Sequence, residues 1–218
     1  MPRKTRKAFA WGNGVLIALF SSALPIHTQN ANAQDSRSLY ASMAPIEQYR
    51  MDRDAEIAMA RTAAPPSISR DAEIVVLGAK NFETAVQGKN GFVCAVGRAF
   101  AGPLNNTEFW NPKNRSPICL NPPAVRSLWP YAVKQTGMAL AGASKAQITD
   151  AIRTAVAKKE LGAPESGSMA YMMSRKAYLT DRGGHNLAHL MFELPRNGVF
   201  QDEPDFFCVL GSGASYRV

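Results

Sequence analysis

His185 and His189 are the pair of residues whose types and spacing most directly suggest chemistry. On an α-helix, side chains four positions apart are neighbours, so two such histidines can bind one zinc ion. The helix of a zinc protease also has a glutamate directly after the first histidine, whereas this chain has Asn186 there. Glycines before the pair and a proline after it favour a strand over 187–194, in which residues four apart are separated by about 13 Å. We therefore expect no metal ion to bridge His185 and His189.

His189 is also a candidate for acid–base catalysis with a carboxylate such as Glu193. In the predicted strand, His189, Met191 and Glu193 share one face because side chains alternate. The opposite face is apolar and is formed by Ala188, Leu190, Phe192 and Leu194. A single histidine near acids is more often a hydrogen-bonded structural residue than a catalyst, so catalysis by His189 is the alternative hypothesis.

Residues 101–121 form a long segment that is rich in asparagine and interrupted by three prolines. Loops of this length in a compact domain are usually either functional or disordered. Phe109, Trp110 and Arg115 are candidates for an aromatic and cationic platform that binds a ligand. The alternative is a surface loop whose aromatic side chains anchor it to the core.

The first 33 residues have the order of a secretory signal peptide. Four basic residues precede an apolar run at 15–24, and Ala31-Asn32-Ala33 has the small-x-small pattern of a cleavage site. The apolar run is shorter than the roughly 20 residues that span a bilayer. We expect cleavage near Ala33, a periplasmic or extracellular protein, and contact with the membrane only during export.

Export makes disulfide bonds possible, and the chain has three cysteines. Cys94 and Cys119 are the natural pair, and their bridge would stabilise the fold by roughly 3.5 kcal/mol in the chain-entropy model. Cys208 lies in an apolar run and is expected to be a buried free thiol. The alternative is a catalytic Cys94 with His189 as its base, but Cys94 lacks the basic neighbour or helix N-terminus that would lower the pKa of its thiol.

The charge of the chain argues against a nucleic-acid partner. The net charge of +8 falls to +4 without the first 33 residues, which contain four basic residues and no acidic one. A nucleic-acid-binding face needs a stronger concentration of basic residues. The chain also lacks a glycine-rich phosphate-binding pattern, so we expect no cofactor, and a partner that is either a protein or a small-molecule ligand.

Hydrophobic patterning predicts a single α+β domain with a mostly antiparallel sheet of about six strands and two or three helices. Residues 34–66 are a polar N-terminal segment with a helix at 44–62, and the compact domain is expected over 67–218. A helix is predicted near Pro130, and a second follows the capping box of Ser144 and Gln147. The Asn90-Gly91 pair predicts a hairpin between the second and third strands. The predicted strands are 73–78, 82–87, 92–100, 168–174, 187–194 and 205–210.

Four stretches in the same order resemble a family of small exported bacterial proteins of uncharacterised activity: ETAVQGKNGFVCAV, FWNPKNRSPICLNPPAVRS, AYMMSRKAYL and HLMFELP. The resemblance covers roughly residues 60–195. It implies a location in the bacterial envelope and a single compact domain, and it implies no particular activity. The C-terminal stretch CVLGSGASYRV departs from that family.

The sequence therefore favours a non-catalytic exported protein with a binding or structural role in the envelope. Its candidate surface is the Trp110 loop together with the His189 face of the sheet. The alternative is a hydrolase or metal-dependent enzyme that uses His189 with nearby acids or Cys94.

Overall fold

A computed structural model describes residues 40–182 and 187–193, together with the backbone of residues 208–209. The described residues belong to one compact unit, Ser36–Val218. The helices are α1 (Arg53–Arg61), α2 (Pro66–Ser69), α3 (Pro122–Ser127), α4 (Trp129–Leu140) and α5 (Lys145–Ala157). The strands are β1 (Glu73–Leu77), β2 (Phe82–Val86), β3 (Val93–Gly97), β4 (Ser116–Leu120), β5 (Ser168–Met172), β6 (His189–Glu193) and β7 (Cys208–Val209).

All seven strands form one sheet in the order β2-β1-β3-β4-β5-β6-β7. Every neighbouring pair is antiparallel except β1 and β3, which run parallel. The predicted α+β class is confirmed, with a sheet that is mixed rather than purely antiparallel. None of the helices in the described ranges is long and apolar enough to cross a membrane.

The hairpin predicted at Asn90 and Gly91 is wrong, because β2 and β3 lie on opposite sides of β1. A tight turn is nevertheless present, since Gly91 has a φ of 77°. The N–H groups of Lys89 and Asn90 donate to the carbonyl oxygen of Asp71 at 2.7 and 3.3 Å, and the Asn90 amide donates to that of Ile68 at 2.8 Å. These contacts bind the turn to the segment before β1, and β3 therefore returns beside β1.

Strand β4 lies inside the segment 101–121 that the sequence predicts as a loop. Pro117 hides this strand from sequence analysis because proline has no N–H group for the hydrogen-bond ladder. In the sheet, Pro117 lies opposite Val96 and Cys119 lies opposite Cys94. The long loop is therefore shorter than predicted, and both of its ends are fixed to the sheet.

Strands β4 and β5 are joined through two residue pairs, although α3, α4 and α5 separate them in sequence. The side chain of Asn121 reinforces this junction. Its Oδ1 accepts from the N–H of Ala124 at 3.1 Å, which caps α3, and from the N–H of Met169 at 2.9 Å. One side chain thus connects the start of a helix to the neighbouring strand.

The core occupies both faces of the sheet. On one face, α1 packs against the strands, and Ala60 of α1 is completely buried with Cys94 and Val96 of β3. On the other face, α3 and α4 cover the strands. The segment before residue 67 contributes to the core, since Tyr49 is completely buried and its ring centre lies 5.2 Å from that of Phe100. The packed structure therefore begins upstream of residue 67.

The predicted helix at 44–62 consists of two pieces, a 3-10 turn at Ile46–Gln48 and α1. The break occurs at Asp52, whose carboxylate accepts from the N–H of Ala55 at 2.9 Å and caps α1. The capping box of Ser144 and Gln147 at the start of α5 is confirmed. Local capping chemistry therefore determines where both helices begin.

A buried ion pair fixes α1 to the sheet. Arg98, just after β3, places its Nη2 atom 3.0 Å from Oε1 of Glu56 in α1. Arg98 also donates to the carbonyl oxygens of Tyr49, at 2.7 Å, and Val96, while the same Glu56 oxygen accepts from the N–H of Leu77 at 3.1 Å. Burial lowers the pKa of Arg98 to about 10, and the nearby Glu56 carboxylate opposes this shift.

Candidate ligand-binding site

A cavity of about 320 Å³ lies between the sheet, the helix α4, residue Ile152 of α5 and the segment 101–104. Its volume falls within the range of ligand pockets, roughly 300–1,000 Å³. Small residues on both sides, Gly97 and Ala170 on the strands and Ala132 on α4, leave this space open. The lining is mostly apolar and includes Ile118, Leu120, Leu128, Trp129, Met172 and Met191.

Glu193, the last residue of β6, is the exception in this apolar lining. Its exposed fraction is 2%, and it lines the cavity from the sheet. No hydrogen bond or ion pair joins its carboxyl to any residue in the described part of the chain. Ser168, its neighbour on β5, has its hydroxyl 3.1 Å from that of Ser127. The Glu193 carboxyl is therefore buried without a partner among these residues.

Burial raises the pKa of Glu193 from 4.5 to about 7. An ionised carboxyl is poorly solvated in an apolar environment, so removal from water favours its neutral form. Arg98 also lines the cavity, but its guanidinium is bound to Glu56 and two carbonyl oxygens. The cavity thus contains a carboxyl group that changes charge near neutral pH.

The predicted strand over 187–194 is confirmed in β6. Its orientation differs from expectation, because the face with Met191 and Glu193 lines the cavity while Phe192 is 42% exposed. The reason is the register with β5, which pairs Met191 with the buried Ala170. The His189 face is therefore turned toward the helices and is not the exposed surface of the sheet.

His189 does not form an acid–base pair with Glu193. The two residues begin and end β6, four positions apart, which corresponds to about 13 Å along a strand. The Nδ1 atom of His189 donates to the carbonyl oxygen of Leu187 at 2.6 Å. His185 lies outside the part of the chain that the structure describes. Within the described part, no group of three or more His, Cys, Asp or Glu side chains is placed to hold a metal ion.

Cys94 and Cys119 stand at disulfide distance, as predicted, with a Cα–Cα distance of 4.0 Å. Both residues are completely buried. A sulfur in a disulfide has no thiolate to act as a nucleophile, so the bridge excludes the catalytic role considered for Cys94. The side chain of Cys208 lies outside the described part.

The structure favours the anchoring role of Phe109 and Trp110 over a ligand platform. Trp110 is 4% exposed, and its ring packs edge-on against that of Phe109 with centres 4.7 Å apart. The hydroxyl of Tyr49 donates to the carbonyl oxygen of Trp110 at 2.7 Å. These aromatic residues therefore fix the loop to the core.

Arg115 likewise has a structural role, because its guanidinium binds backbone carbonyl oxygens. Its guanidinium donates to the backbone carbonyl oxygens of Pro112 and Asn114 at 2.7 and 2.8 Å. It also reaches those of Gln48 and Arg50 at 3.1 and 3.4 Å. The side chain thus joins the loop to the N-terminal segment and is already engaged by protein groups.

A second group of acids, Glu108 and Asp181, is fully engaged in hydrogen bonds. Burial of the Glu108 carboxyl acts to raise its pKa. Hydrogen bonds from the backbone N–H of Asp181, the hydroxyl of Thr180 and the side-chain amide of Asn111 outweigh this effect and lower the pKa. Asp181 accepts from the hydroxyls of Tyr40 and Tyr178. This cluster therefore holds the segment after β5 against the long loop.

Comparisons with protein-family models, with curated proteins and with solved structures found no match to this chain. The assignment of a site therefore depends on geometry and chemistry. The cavity with Glu193 combines apolar space with a buried carboxyl group that has no partner in the described part of the chain.

Replacement of Glu193 by glutamine is expected to raise stability above neutral pH and to leave it nearly unchanged at pH 4. Between pH 4.5 and 7 the unfolded wild-type carboxyl releases a proton that the folded one retains, so wild-type stability falls as pH rises through this window. The loss should be on the order of 3 kcal/mol. Urea unfolding at pH 4 to 8 measures it.

The control is Glu47→Gln, which alters an exposed carboxyl on the same protein. The difference in the free energy of unfolding between the wild type and Glu193→Gln should grow with pH. The same difference between the wild type and Glu47→Gln should not. Equal pH profiles for the two variants would show that Glu193 titrates as an ordinary surface carboxyl.

Proposed function

We propose that this chain is an exported, non-catalytic binding protein that holds a small, largely apolar molecule between its sheet and helices. The observation that carries the proposal is the apolar cavity of about 320 Å³ with one unpartnered carboxyl in its wall. A 150 Å³ apolar cavity accommodates benzene, so by proportion this one suits a ligand of about a dozen non-hydrogen atoms.

The packing of the core supports a binding role over a purely structural one. Protein interiors are packed about as densely as organic crystals, and an unfilled cavity lowers stability. A protein that served only as a scaffold would gain stability from larger side chains at Ala132 and Ala170. A cavity reserved for a ligand explains why these positions are small.

The proposed export agrees with the order of the first 33 residues and with the Cys94–Cys119 bridge. Disulfides persist in oxidising compartments such as the bacterial periplasm and the cell exterior. We therefore place the proposed binding activity in the envelope or outside the cell.

The non-catalytic part of the proposal follows from the groups that line the cavity. General acid–base catalysis uses a positioned side chain within hydrogen-bond reach of the proton that it transfers, at a pKa suited to that step. Among the described lining residues, Glu193 is the ionisable side chain with no partner, while Arg98 is engaged by Glu56. Retention of a ligand needs no second group.

Calorimetric titration of the mature protein with 4-phenylbutan-1-ol tests the proposed function. We expect saturable binding to the wild type and at least a tenfold weaker affinity in Ala132→Phe, whose added ring occupies the cavity. Ala146→Phe is the matched control, because Ala146 is an exposed residue of helix α5. Absence of saturable binding, or equal affinity in Ala132→Phe and Ala146→Phe, would overturn the proposal. Ala170→Leu, on the opposite wall, serves as a second blocking variant if Ala132→Phe does not fold.

A further inference from the structure

The polar groups of the cavity wall differ in whether they already have a hydrogen-bond partner within the protein. Gln135 can orient its amide so that the nitrogen donates to the carbonyl oxygens of Gly102 and Phe100 at 3.0 and 3.2 Å. The Ser116 hydroxyl donates to Oδ1 of Asn114 at 2.9 Å. Tyr131 likewise donates its hydroxyl proton to a backbone carbonyl oxygen, at 2.9 Å. These groups have partners within the protein, and Glu193 does not have one among the described residues.

From this difference we infer that the ligand is a cationic amine with an apolar body, and that its ammonium group pairs with the carboxylate of Glu193 inside the cavity. The inference rests on the proposed binding function and names the chemical class of its ligand. The apolar wall would enclose the hydrocarbon part, and the carboxylate would bind the charged end.

Charge complementarity selects an ammonium group over other polar ends. A buried carboxylate without a partner is unfavourable, and an ammonium supplies both the opposite charge and hydrogen-bond donors. Hydrogen bonds between two charged groups are roughly twice as strong as those between neutral ones. A neutral alcohol can donate one hydrogen bond but cannot compensate the charge.

The cavity offers no comparable partner for an anionic ligand in the described part of its wall. The one guanidinium there, that of Arg98, donates from Nε to the carbonyl oxygen of Tyr49 and from Nη2 to Glu56. Its Nη1 atom donates to the carbonyl oxygen of Val96. A carboxylate ligand would meet the like charge of Glu193 without a free cation to offset it.

Amine binding should depend on pH through the charge of this carboxyl. The wild-type affinity for an amine should rise as pH increases toward the pKa of Glu193, about 7 in the free protein, and then level off. The reason is that an ammonium ion binds the ionised carboxyl, while the amine itself stays protonated over this range. The affinity for a neutral alcohol should change much less.

The test compares three probes that share one apolar body: 4-phenylbutylamine, 4-phenylbutan-1-ol and 4-phenylbutanoate. Each is titrated calorimetrically at pH 8 into the mature wild type, Glu193→Gln and the control Glu47→Gln. We expect the amine to bind the wild type most tightly and to lose about 10- to 100-fold in affinity in Glu193→Gln. The affinity for the alcohol should fall much less than that for the amine in Glu193→Gln, and Glu47→Gln should match the wild type for all three probes.

The possible outcomes separate the two proposals. Binding of the alcohol without a preference for the amine would overturn the amine assignment and leave the apolar binding function standing. Tightest binding of the carboxylate, or undiminished amine affinity in Glu193→Gln, would likewise overturn the assignment. If none of the three probes binds, both proposals are wrong.

Discussion

Arg98→Met should destabilise the protein by about 3–5 kcal/mol, the usual cost of breaking a buried ion pair on one side. The substitution removes the partner of the Glu56 carboxylate and leaves that charge buried against β1. It also removes the donors to the carbonyl oxygens of Tyr49 and Val96. Urea unfolding of the mature protein at pH 7 measures the change in the free energy of unfolding.

The matched control is Arg126→Met, because Arg126 forms an ion pair with Glu165 on the surface. Their side chains are 59% and 42% exposed, and surface pairs of this kind contribute less than about 1 kcal/mol. The double variant Arg98→Met/Glu56→Gln should recover part of the loss, since it no longer buries an unpaired charge. Similar effects of the two single arginine variants would show that the Arg98 pair does not support the fold in the manner described.

Reduction of the Cys94–Cys119 bridge is expected to lower the free energy of unfolding by roughly 3.5 kcal/mol in the chain-entropy model. The bridge joins β3 to β4 and closes the segment that contains Trp110, with a sequence separation of 25 residues. Small domains have a total stability of about 5–15 kcal/mol, so this loss is a large fraction. Unfolding measured with and without dithiothreitol provides the test.

Two variants control this measurement. Cys94→Ser/Cys119→Ser should have the stability of the reduced wild type and should no longer respond to dithiothreitol. Cys208→Ser should retain the full response, because it leaves both bridge residues intact. A wild type whose unfolding is independent of the reductant would contradict the stabilising role of the bridge.

The sequence predicts most of the sheet because the strands are short runs of apolar and β-branched residues with clear ends. It does not predict β4, since Pro117 interrupts the pattern on which strand prediction depends. It also gives the wrong partner for β3, because the signal of Asn90 and Gly91 is local. The carbonyl oxygen of Asp71 that binds this turn comes from a different part of the chain.

The candidate site was less predictable than the fold. Residues of the cavity wall come from strands and helices that are far apart in sequence, so no local pattern identifies them. The sequence marks Glu193 as a candidate because it lies near His189 along the chain. Its buried environment, however, is set by the register between β5 and β6, which no local pattern predicts. A polar residue on a strand of alternating polarity normally marks the face that is exposed to solvent. Here it lies on the face that lines the cavity.

The narrow junction between β4 and β5 has a consequence for local unfolding. The cavity wall includes Leu120 of β4 on one side of this junction and Met191 of β6 on the other side. Strands β4 and β5, which meet at the junction, share two residue pairs. Besides these pairs, the backbone hydrogen bonds across this junction are those from Asn121 to Met169 and between Arg115 and Tyr178. This small set makes the junction the natural boundary of a cooperative unit. A ligand that contacts both β4 and β6 would bind the closed form of this junction. It would therefore raise the free energy that is needed to separate β5 and β6 from the rest of the sheet.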